Sequence, residues 1–220
     1  MRLKVSAPQG LVVVVPRGFD TGQIPALLAT QRPWLEKVLA EFAERMPDDA
    51  DEGLPEQLSL RAIGQTWSVE YAHSTATHVS ARSHTGQRVR VRGNITDKKA
   101  CRAALRRWLL RQAHIELVPW LEALSHTHSL PYKKTRVSMQ KTRWGSCSSR
   151  GTISINAQLL FLERHHVEYV FLHELCHTVQ MNHSPQFWAM LAARMPGYRD
   201  THQAIRQAWQ YTPAWTSDKD

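Results

Sequence analysis

The stretch His173-Glu174-Leu175-Cys176-His177 decides how this chain is interpreted. Residues four positions apart lie on the same face of a helix, one turn from each other, so His173 and His177 can bind a single metal ion together. Glu174 then projects toward the space in front of the ion, where a carboxylate can act as general base on a metal-bound water. The spacing therefore predicts a hydrolytic metal site.

The residues around this motif predict a buried helix. No Gly or Pro occurs between His165 and His183, and apolar residues lead into the motif. A buried carboxylate without an opposing charge is costly, and a metal ion beside Glu174 would supply that charge. This setting favours an enclosed metal site over a histidine pair that only packs in the core.

A catalytic zinc needs a third protein ligand and leaves its fourth position to water. His183 is the nearest candidate, because it follows His177 by six residues and directly precedes Ser184-Pro185. Ser is a good N-cap and Pro suits the first helical position, so a new helix is expected to start there. The first helix must then end near Met181-Asn182, and the turn can bring His183 back to the metal. Three residues remain alternatives for the third ligand: Glu168, His165 and His166.

A loop upstream of the motif has the sequence Arg143-Trp144-Gly145-Ser146-Cys147-Ser148. Arg143 is a candidate for substrate binding, because its guanidinium can face a carbonyl, a carboxylate or an oxyanion. Cys147 can be a further thiolate ligand, but burial as a small apolar residue is favoured, with Trp144 filling the core. Tyr198 is a second candidate for substrate binding through its phenol, with helix packing as the favoured alternative.

Taken together, these motifs resemble the YgjP-like metallopeptidase family. Besides the motif helix, the likeness rests on the Arg143–Ser148 loop and on three later segments: Asn182-His183-Ser184, Phe187-Trp188 and Pro196-Gly197-Tyr198. It covers residues 135–210 closely and the N-terminal half more loosely. The resemblance implies a small zincin-type core related to SprT-like proteases. It also implies one zinc ion held by His173, His177 and His183, with Glu174 as the catalytic base.

The N-terminal half is rich in β-prone segments. The runs Leu3–Ser6 and Leu11–Val15 predict a hairpin, followed by a helix that reaches Leu39 and an acidic loop from Met46 to Pro55. Four further runs predict strands of a meander: 58–63, 67–71, 77–81 and 88–91. We therefore expect a β-rich N-terminal region with a helix at residues 1–95.

The C-terminal half begins with a long helix capped by Thr96 or Asp97, which Pro119 is expected to kink or divide. Strands are predicted at Thr135–Gln140 and Thr152–Ile155, before the motif helix. Strands, helix, strands and helices in this order predict an α+β fold rather than alternating βαβ units. We expect a zincin-type domain at residues 96–220, with the motif helix packed against a short sheet.

Composition narrows the class of protein. The 220 residues are 42% hydrophobic and 21% charged, which is typical of a globular chain and excludes a disordered one. No run approaches the ~18 apolar residues of a membrane span, and the N-terminus lacks the apolar region of a signal peptide. Three widely spaced cysteines form no CxxC pair, which favours the reducing cytoplasm.

The charge is strongly basic, with 28 Lys and Arg against 19 Asp and Glu. An excess of +9 suits association with nucleic acid, although dispersed charge on a soluble protein would give the same number. Arg88, Arg90 and Arg92 alternate with valines, so a strand would carry them on one face. A solvated sheet face is favoured over a phosphate-binding strip, because no aromatic residue interleaves to stack a base.

The sequence thus predicts a zinc-dependent hydrolase, with amide bonds of a peptide or protein as the natural substrate. Two alternatives remain: a basic nucleic-acid-associated module with a structural zinc, and a hydrolase of a non-peptide substrate. Zincin cores align the substrate along an exposed sheet edge, and Gly151–Ile155 is the expected edge strand. The oligomeric state is left open.

Overall fold

The computed structural model describes residues 53–217 without a gap and, before them, residues 2–6, 10–15, 18–20, 22, 24, 28 and 31–32. The chain divides into two compact units, Met1–Asp51 and Glu52–Asp220. Most of the predicted helix before Leu39 and of the acidic loop at residues 46–55 lies outside the described residues. The domain boundary expected between residues 95 and 96 stays a prediction.

The described part of the first unit contains a hairpin. Strand β1 (Arg2–Ser6) pairs antiparallel with β2 (Gly10–Val14), so that Arg2 lies opposite Val14 and Ser6 opposite Gly10. The predicted hairpin is confirmed.

The second unit begins with a four-stranded sheet in the order β3-β4-β6-β5. Its strands are β3 (Gln57–Leu60), β4 (Gln65–His73), β5 (Ser80–His84) and β6 (Arg88–Gly93). Because β6 pairs parallel with β4 and antiparallel with β5, the expected meander is wrong. Burial explains the order: Val89 and Val91 are fully buried and suit a central strand, whereas polar β5 buries only one of its five residues and suits an edge.

A helix of 30 residues, α1 (Lys98–Thr127), follows the sheet. Asp97 caps it by accepting a hydrogen bond from the backbone N–H of Ala100 at 2.9 Å. The helix continues through Pro119, so the expected division does not occur. Pro119 has no N–H to donate to the carbonyl of Ile115, four residues earlier in the helix. Ile115 is 63% exposed, so water can bond to that carbonyl instead.

Helix α1 packs against both sheets of the unit and is therefore buried on two sides. On the first sheet, Trp108 meets Trp67 edge-on at 5.3 Å between ring centroids and donates its indole N–H to Ser83 Oγ at 2.8 Å. Two arginines of α1 cover the edge strand β5: Arg107 donates to the Val79 carbonyl and Arg111 to the Ala81 carbonyl. Occupied carbonyls protect this edge from pairing with another chain.

The remaining elements surround a second, three-stranded sheet in the order β7-β9-β8. The strands are β7 (Lys134–Ser138), β8 (Gly145–Cys147) and β9 (Thr152–Asn156), and the helices are α2 (Arg164–Cys176), α3 (Pro185–Arg194) and α4 (Tyr198–Ala204). Helix α2 contacts β8, α3 and α4. The predicted α+β class, with the motif helix packed on a short sheet, is confirmed. Within the described residues, no helix is long and apolar enough to cross a membrane.

Substitution of Leu109 by Ala tests how far the core depends on α1. Leu109 is fully buried in that helix, so removing its side chain should lower the free energy of unfolding by about 2–5 kcal/mol. Urea denaturation measures the change, and Ile115→Ala, an exposed position in the same helix, should have a much smaller effect. Equal losses in the two variants would contradict the packing of α1.

Candidate metal centre and active site

Helix α2 carries the first two histidines of the centre. It runs from Arg164 to Cys176 without Gly or Pro, and its apolar residues Val167, Phe171 and Leu175 are buried. His173 lies in its last turn and His177 caps its C-terminus. The packing of α2 therefore determines the positions of the His173 and His177 rings.

A tight turn after α2 brings the third histidine to the same place. The ring Nδ1 of His177 hydrogen bonds to the Gln180 carbonyl at 2.8 Å, which holds the turn against the helix end. Ser184 then caps α3 by accepting from the Phe187 N–H, with Pro185 as the first helical residue, as predicted. His183, directly before this cap, is thereby directed back toward α2.

The three rings converge through their Nε2 atoms. His183 Nε2 lies 3.0 Å from His173 Nε2 and 3.2 Å from His177 Nε2. Of the described residues, His173, His177 and His183 form a group whose ligand atoms all lie within 4.8 Å of one another. Phe187 packs against all three rings, with centroids 4.6–4.9 Å away.

The donor set fits zinc. A tetrahedral ion bonded to imidazole nitrogens at about 2.0–2.1 Å needs those nitrogens about 3.4 Å apart, close to the observed separations. Burial and the neighbouring His177 and His183 lower the pKa of His173 to about 3, so its ring is neutral, as a ligand must be. The bond from His177 Nδ1 to the Gln180 carbonyl leaves its Nε2 free to accept a cation.

Glu174 is buried between α2 and β8. The Cys147 backbone N–H donates a hydrogen bond to its carboxylate and the Arg143 charge favours its ionised form, yet burial outweighs both and raises the pKa of Glu174 to about 8. A Cβ placed on Gly145 would lie 2.8 Å from Glu174 Cγ and 3.0 Å from Oε1. Only glycine therefore lets this carboxyl approach β8 so closely.

The strand next to Glu174 is a sheet edge. The expected edge strand, Gly151–Ile155, is wrong, because β9 lies in the centre of the sheet and β8 lies at its edge. Asn156 N–H donates to the Trp144 carbonyl and Ser148 N–H to the Thr152 carbonyl. Since bonded and non-bonded pairs alternate in an antiparallel ladder, the backbone groups of Gly145 and Cys147 face away from β9. This edge thus points toward Glu174, whose carboxylate already accepts from the Cys147 N–H.

Sequence reasoning missed two side chains near His173, those of Tyr169 and His202. The Tyr169 hydroxyl lies 3.3 Å from His173 Nδ1 and 2.5 Å from Nδ1 of His202 on α4. Tyr169 precedes His173 by one helical turn, which is the one sequence signal that could have placed it beside the ligand. His202 had no such signal, because α4 reaches α2 only through tertiary packing.

Comparison with known proteins identifies the family of this chain. A model of the YgjP-like metallopeptidase domain matches residues 1–208 of the 220-residue chain. The chain belongs to the YgjP-like metallopeptidase family. The YgjP-like chain is also similar to a solved structure, the metallopeptidase zymogen of Pyrococcus abyssi abylysin, at 25% identity over 41% of this chain and 91% of that chain, with a TM-score of 0.37. No curated protein matches it significantly.

The other candidates for the third ligand lie apart from the cluster of this YgjP-like protein. Glu168 pairs with Arg164 at 3.6 Å on the outer side of α2. His165 and His166 contact each other at the start of the same helix, with ring centroids 4.0 Å apart. The turn to α3 therefore brings His183, and not these residues, to His173 and His177.

The two substrate-binding candidates of the YgjP-like site, Arg143 and Tyr198, have different neighbours. The charge of Arg143 acts on Glu174, and its backbone carbonyl accepts from the buried Asn156 side chain at 2.9 Å. Tyr198 stacks on Trp188, which in turn stacks on His183. Arg143 thus acts on the carboxylate through its charge, whereas Tyr198 is one ring removed from His183.

Gly145→Ala tests the contact between β8 and Glu174 in the YgjP-like site. The added methyl cannot fit, so Glu174 must move, and peptide hydrolysis should fall by on the order of 10²-fold while the three histidines still bind zinc. Turnover of an unstructured protein substrate and metal content per chain are the measurements. Ser146→Ala in the same strand is the control. Wild-type turnover in Gly145→Ala would mean that the position of Glu174 does not matter.

Proposed function

We propose that this protein is a zinc-dependent peptidase that hydrolyses amide bonds with Glu174 as general base. The observation that carries the proposal is the convergence of three Nε2 atoms at 3.0 and 3.2 Å, next to the helix that also carries the buried carboxyl of Glu174. One zinc ion held by His173, His177 and His183 would polarise the scissile carbonyl and make a coordinated water acidic enough to attack near neutral pH.

Glu174 supplies the proton transfers. Its carboxylate accepts a proton from the attacking water and passes it to the leaving amine nitrogen. The Cys147 N–H and the Arg143 charge support the ionised carboxylate, and a dication nearby would oppose the effect of burial on its pKa. Glycine at position 145 keeps the carboxyl in place against β8.

The free edge of β8 aligns the substrate. An extended peptide pairs with the outward N–H and carbonyl of Gly145 and with the carbonyl of Cys147, since the Cys147 N–H already bonds to Glu174. This pairing places one amide bond of the peptide beside Glu174. Arg143 then faces a carbonyl or carboxylate of the bound peptide. Tyr198 contributes through Trp188, whose ring it supports against His183.

Two features favour this function over the alternatives. A purely structural zinc site has four protein ligands, whereas the described residues bring three to this cluster and leave a corner for water. A strand at the sheet edge beside the general base suits an extended peptide, and a non-peptide hydrolase would not need it. The three cysteines, Cys101, Cys147 and Cys176, are all unpaired, which supports the proposed cytoplasmic location.

Glu174→Gln separates metal binding from chemistry. The amide keeps the shape of the side chain but cannot accept the proton, so zinc content should stay near one ion per chain while peptide turnover falls by at least ~10²-fold. His183→Ala should lose zinc and turnover together. Metal analysis and a peptidase assay on the same preparations measure both quantities.

Glu168→Gln is the matched control, because Glu168 lies on the same helix but pairs outward with Arg164. It should retain zinc and turnover. Loss of zinc in Glu174→Gln, or survival of its activity, would contradict the role given to Glu174.

A second proposal concerns nucleic acid, and one observation favours it. Arg82 on β5 lies directly opposite Arg90 on β6, and Arg88 and Arg92 occupy the same exposed sheet face. Like charges opposite each other destabilise a sheet. Glu70 pairs with Arg88 and Arg90 at 3.5 and 3.1 Å. One carboxylate cannot neutralise four arginines, so positive charge remains on this face for phosphates to neutralise. We infer that this arginine face binds nucleic acid and brings the peptidase to proteins there.

The double variant Arg82→Gln/Arg92→Gln tests the arginine face. Each lost phosphate contact should reduce the slope of log affinity against log salt by about 1, so the slope should fall by about 2. Fluorescence anisotropy with a labelled oligonucleotide at several salt concentrations measures it. Lys141→Gln/Arg150→Gln removes the same charge elsewhere and should change the slope less. An equal change in that control would mean that only non-specific charge attraction acts, and would contradict binding at the arginine face.

A further inference from the structure

Tyr169 lies between a proposed metal ligand and a histidine outside the ligand set. Its side chain is 3% exposed, and its hydroxyl contacts Nδ1 of His173 on one side and Nδ1 of His202 on the other. The far nitrogen of His202, Nε2, lies 3.3 Å from Nη2 of Arg206. The four groups form a continuous chain of polar contacts from the cluster to the surface.

The number of available protons gives this chain of hydrogen bonds a donor-to-acceptor direction. The hydroxyl of Tyr169 carries one proton and can donate to only one of the two Nδ1 atoms, so the other ring must donate to it. If His173 offers Nε2 to a cation, its proton resides on Nδ1. His173 then donates to Tyr169, and Tyr169 donates to His202.

Arg206 favours the opposite direction. A guanidinium only donates hydrogen bonds, so its contact with His202 Nε2 needs that nitrogen to be unprotonated. The proton of His202 is then on Nδ1 and points at Tyr169, whose own proton must point at Nδ1 of His173. In that arrangement the Nε2 of His173 carries a proton and cannot bind a metal ion.

We propose that Tyr169 and His202 are positioning residues of the metal centre, and that Arg206 opposes metal binding through them. Tyr169 fixes the orientation and tautomer of the His173 ring. When the cation binds, His202 accepts a hydrogen bond from the Tyr169 hydroxyl. Binding reverses the direction of the whole chain, and the exposed Arg206 side chain must move away from His202. This inference rests on the proposed function, because it takes His173 as a ligand.

The aromatic contacts alone would give Tyr169 a merely structural role. Its ring lies 5.7 Å from that of His173 and 5.8 Å from that of His202, and a phenylalanine would keep both contacts. Tyr169→Phe therefore removes the hydroxyl and leaves the packing. Tyr71→Phe is the matched control, since the Tyr71 hydroxyl also donates a partly buried hydrogen bond, to the Pro55 carbonyl at 2.8 Å, but in the other sheet.

The experiment measures zinc affinity of the full chain by competition with a chromophoric chelator, with thermal melting of each metal-free variant as the check on folding. Tyr169→Phe should bind zinc about 10–100-fold more weakly than wild type, and Tyr71→Phe should bind as wild type does. In zinc-loaded wild type, ¹⁵N-histidine NMR should find the His173 proton on Nδ1 and the His202 proton on Nε2.

Two substitutions give results that packing alone would not. His202→Gln keeps an acceptor for Tyr169 and should bind zinc more tightly than His202→Leu, which has none. Arg206→Met removes the opposing donor, so zinc affinity should rise above that of wild type.

Unchanged affinity in Tyr169→Phe, equal affinities of the two His202 variants, or a loss in Arg206→Met would each overturn the inference while leaving the peptidase proposal intact. Failure of wild type itself to bind zinc would instead overturn the proposed function, and this inference with it.

Discussion

The convergence of three imidazole nitrogens, with Nε2 of His173 and of His177 both within 3.2 Å of Nε2 of His183, imposes the main constraint on this molecule. When all three rings carry their protons on Nδ1, their Nε2 lone pairs face one another, and a cation between them would relieve the repulsion. Separate elements hold them together: the packed face of α2 fixes His173 and His177, and the Ser184 cap of α3 fixes His183. Phe187, the first buried residue of α3, packs against the rings of the cluster. The helix cap, the packing of α3 and the placement of the ligands therefore depend on one another.

The carboxyl of Glu174 links this cluster to the second sheet. It is buried where a carboxylate would ordinarily be protonated, and it tolerates that position because β8 supplies a backbone donor and a residue without a side chain. Asn156 holds the same loop from the other side by donating to the carbonyls of Gln140 and Arg143. The loop is thus held from both sides, and its edge and the proposed general base share one surface.

Long-range strand pairing accounts for most of the differences between expectation and structure. Run lengths and alternation located the strands, but they carry no information on which strand inserts between two others. Placement of β6 next to β4 follows from burying Val89 and Val91 under α1, and placement of β9 in the centre follows from burying Ile153 and Ile155. Proline at position 119 was expected to kink or divide α1, yet the helix is not divided, because buried residues on both sides, Leu117 and Leu121, hold it together.

What the sequence determined by itself was local. The i, i+4 spacing put His173 and His177 on one face, and Ser184-Pro185 started a new helix directly after His183, because caps and helical periods act over a few residues. What only the tertiary structure decided was which groups meet these residues from elsewhere. The approach of β8 to Glu174 and of His202 to Tyr169 joins elements distant in sequence, and such contacts arise from packing the whole core rather than from any local preference.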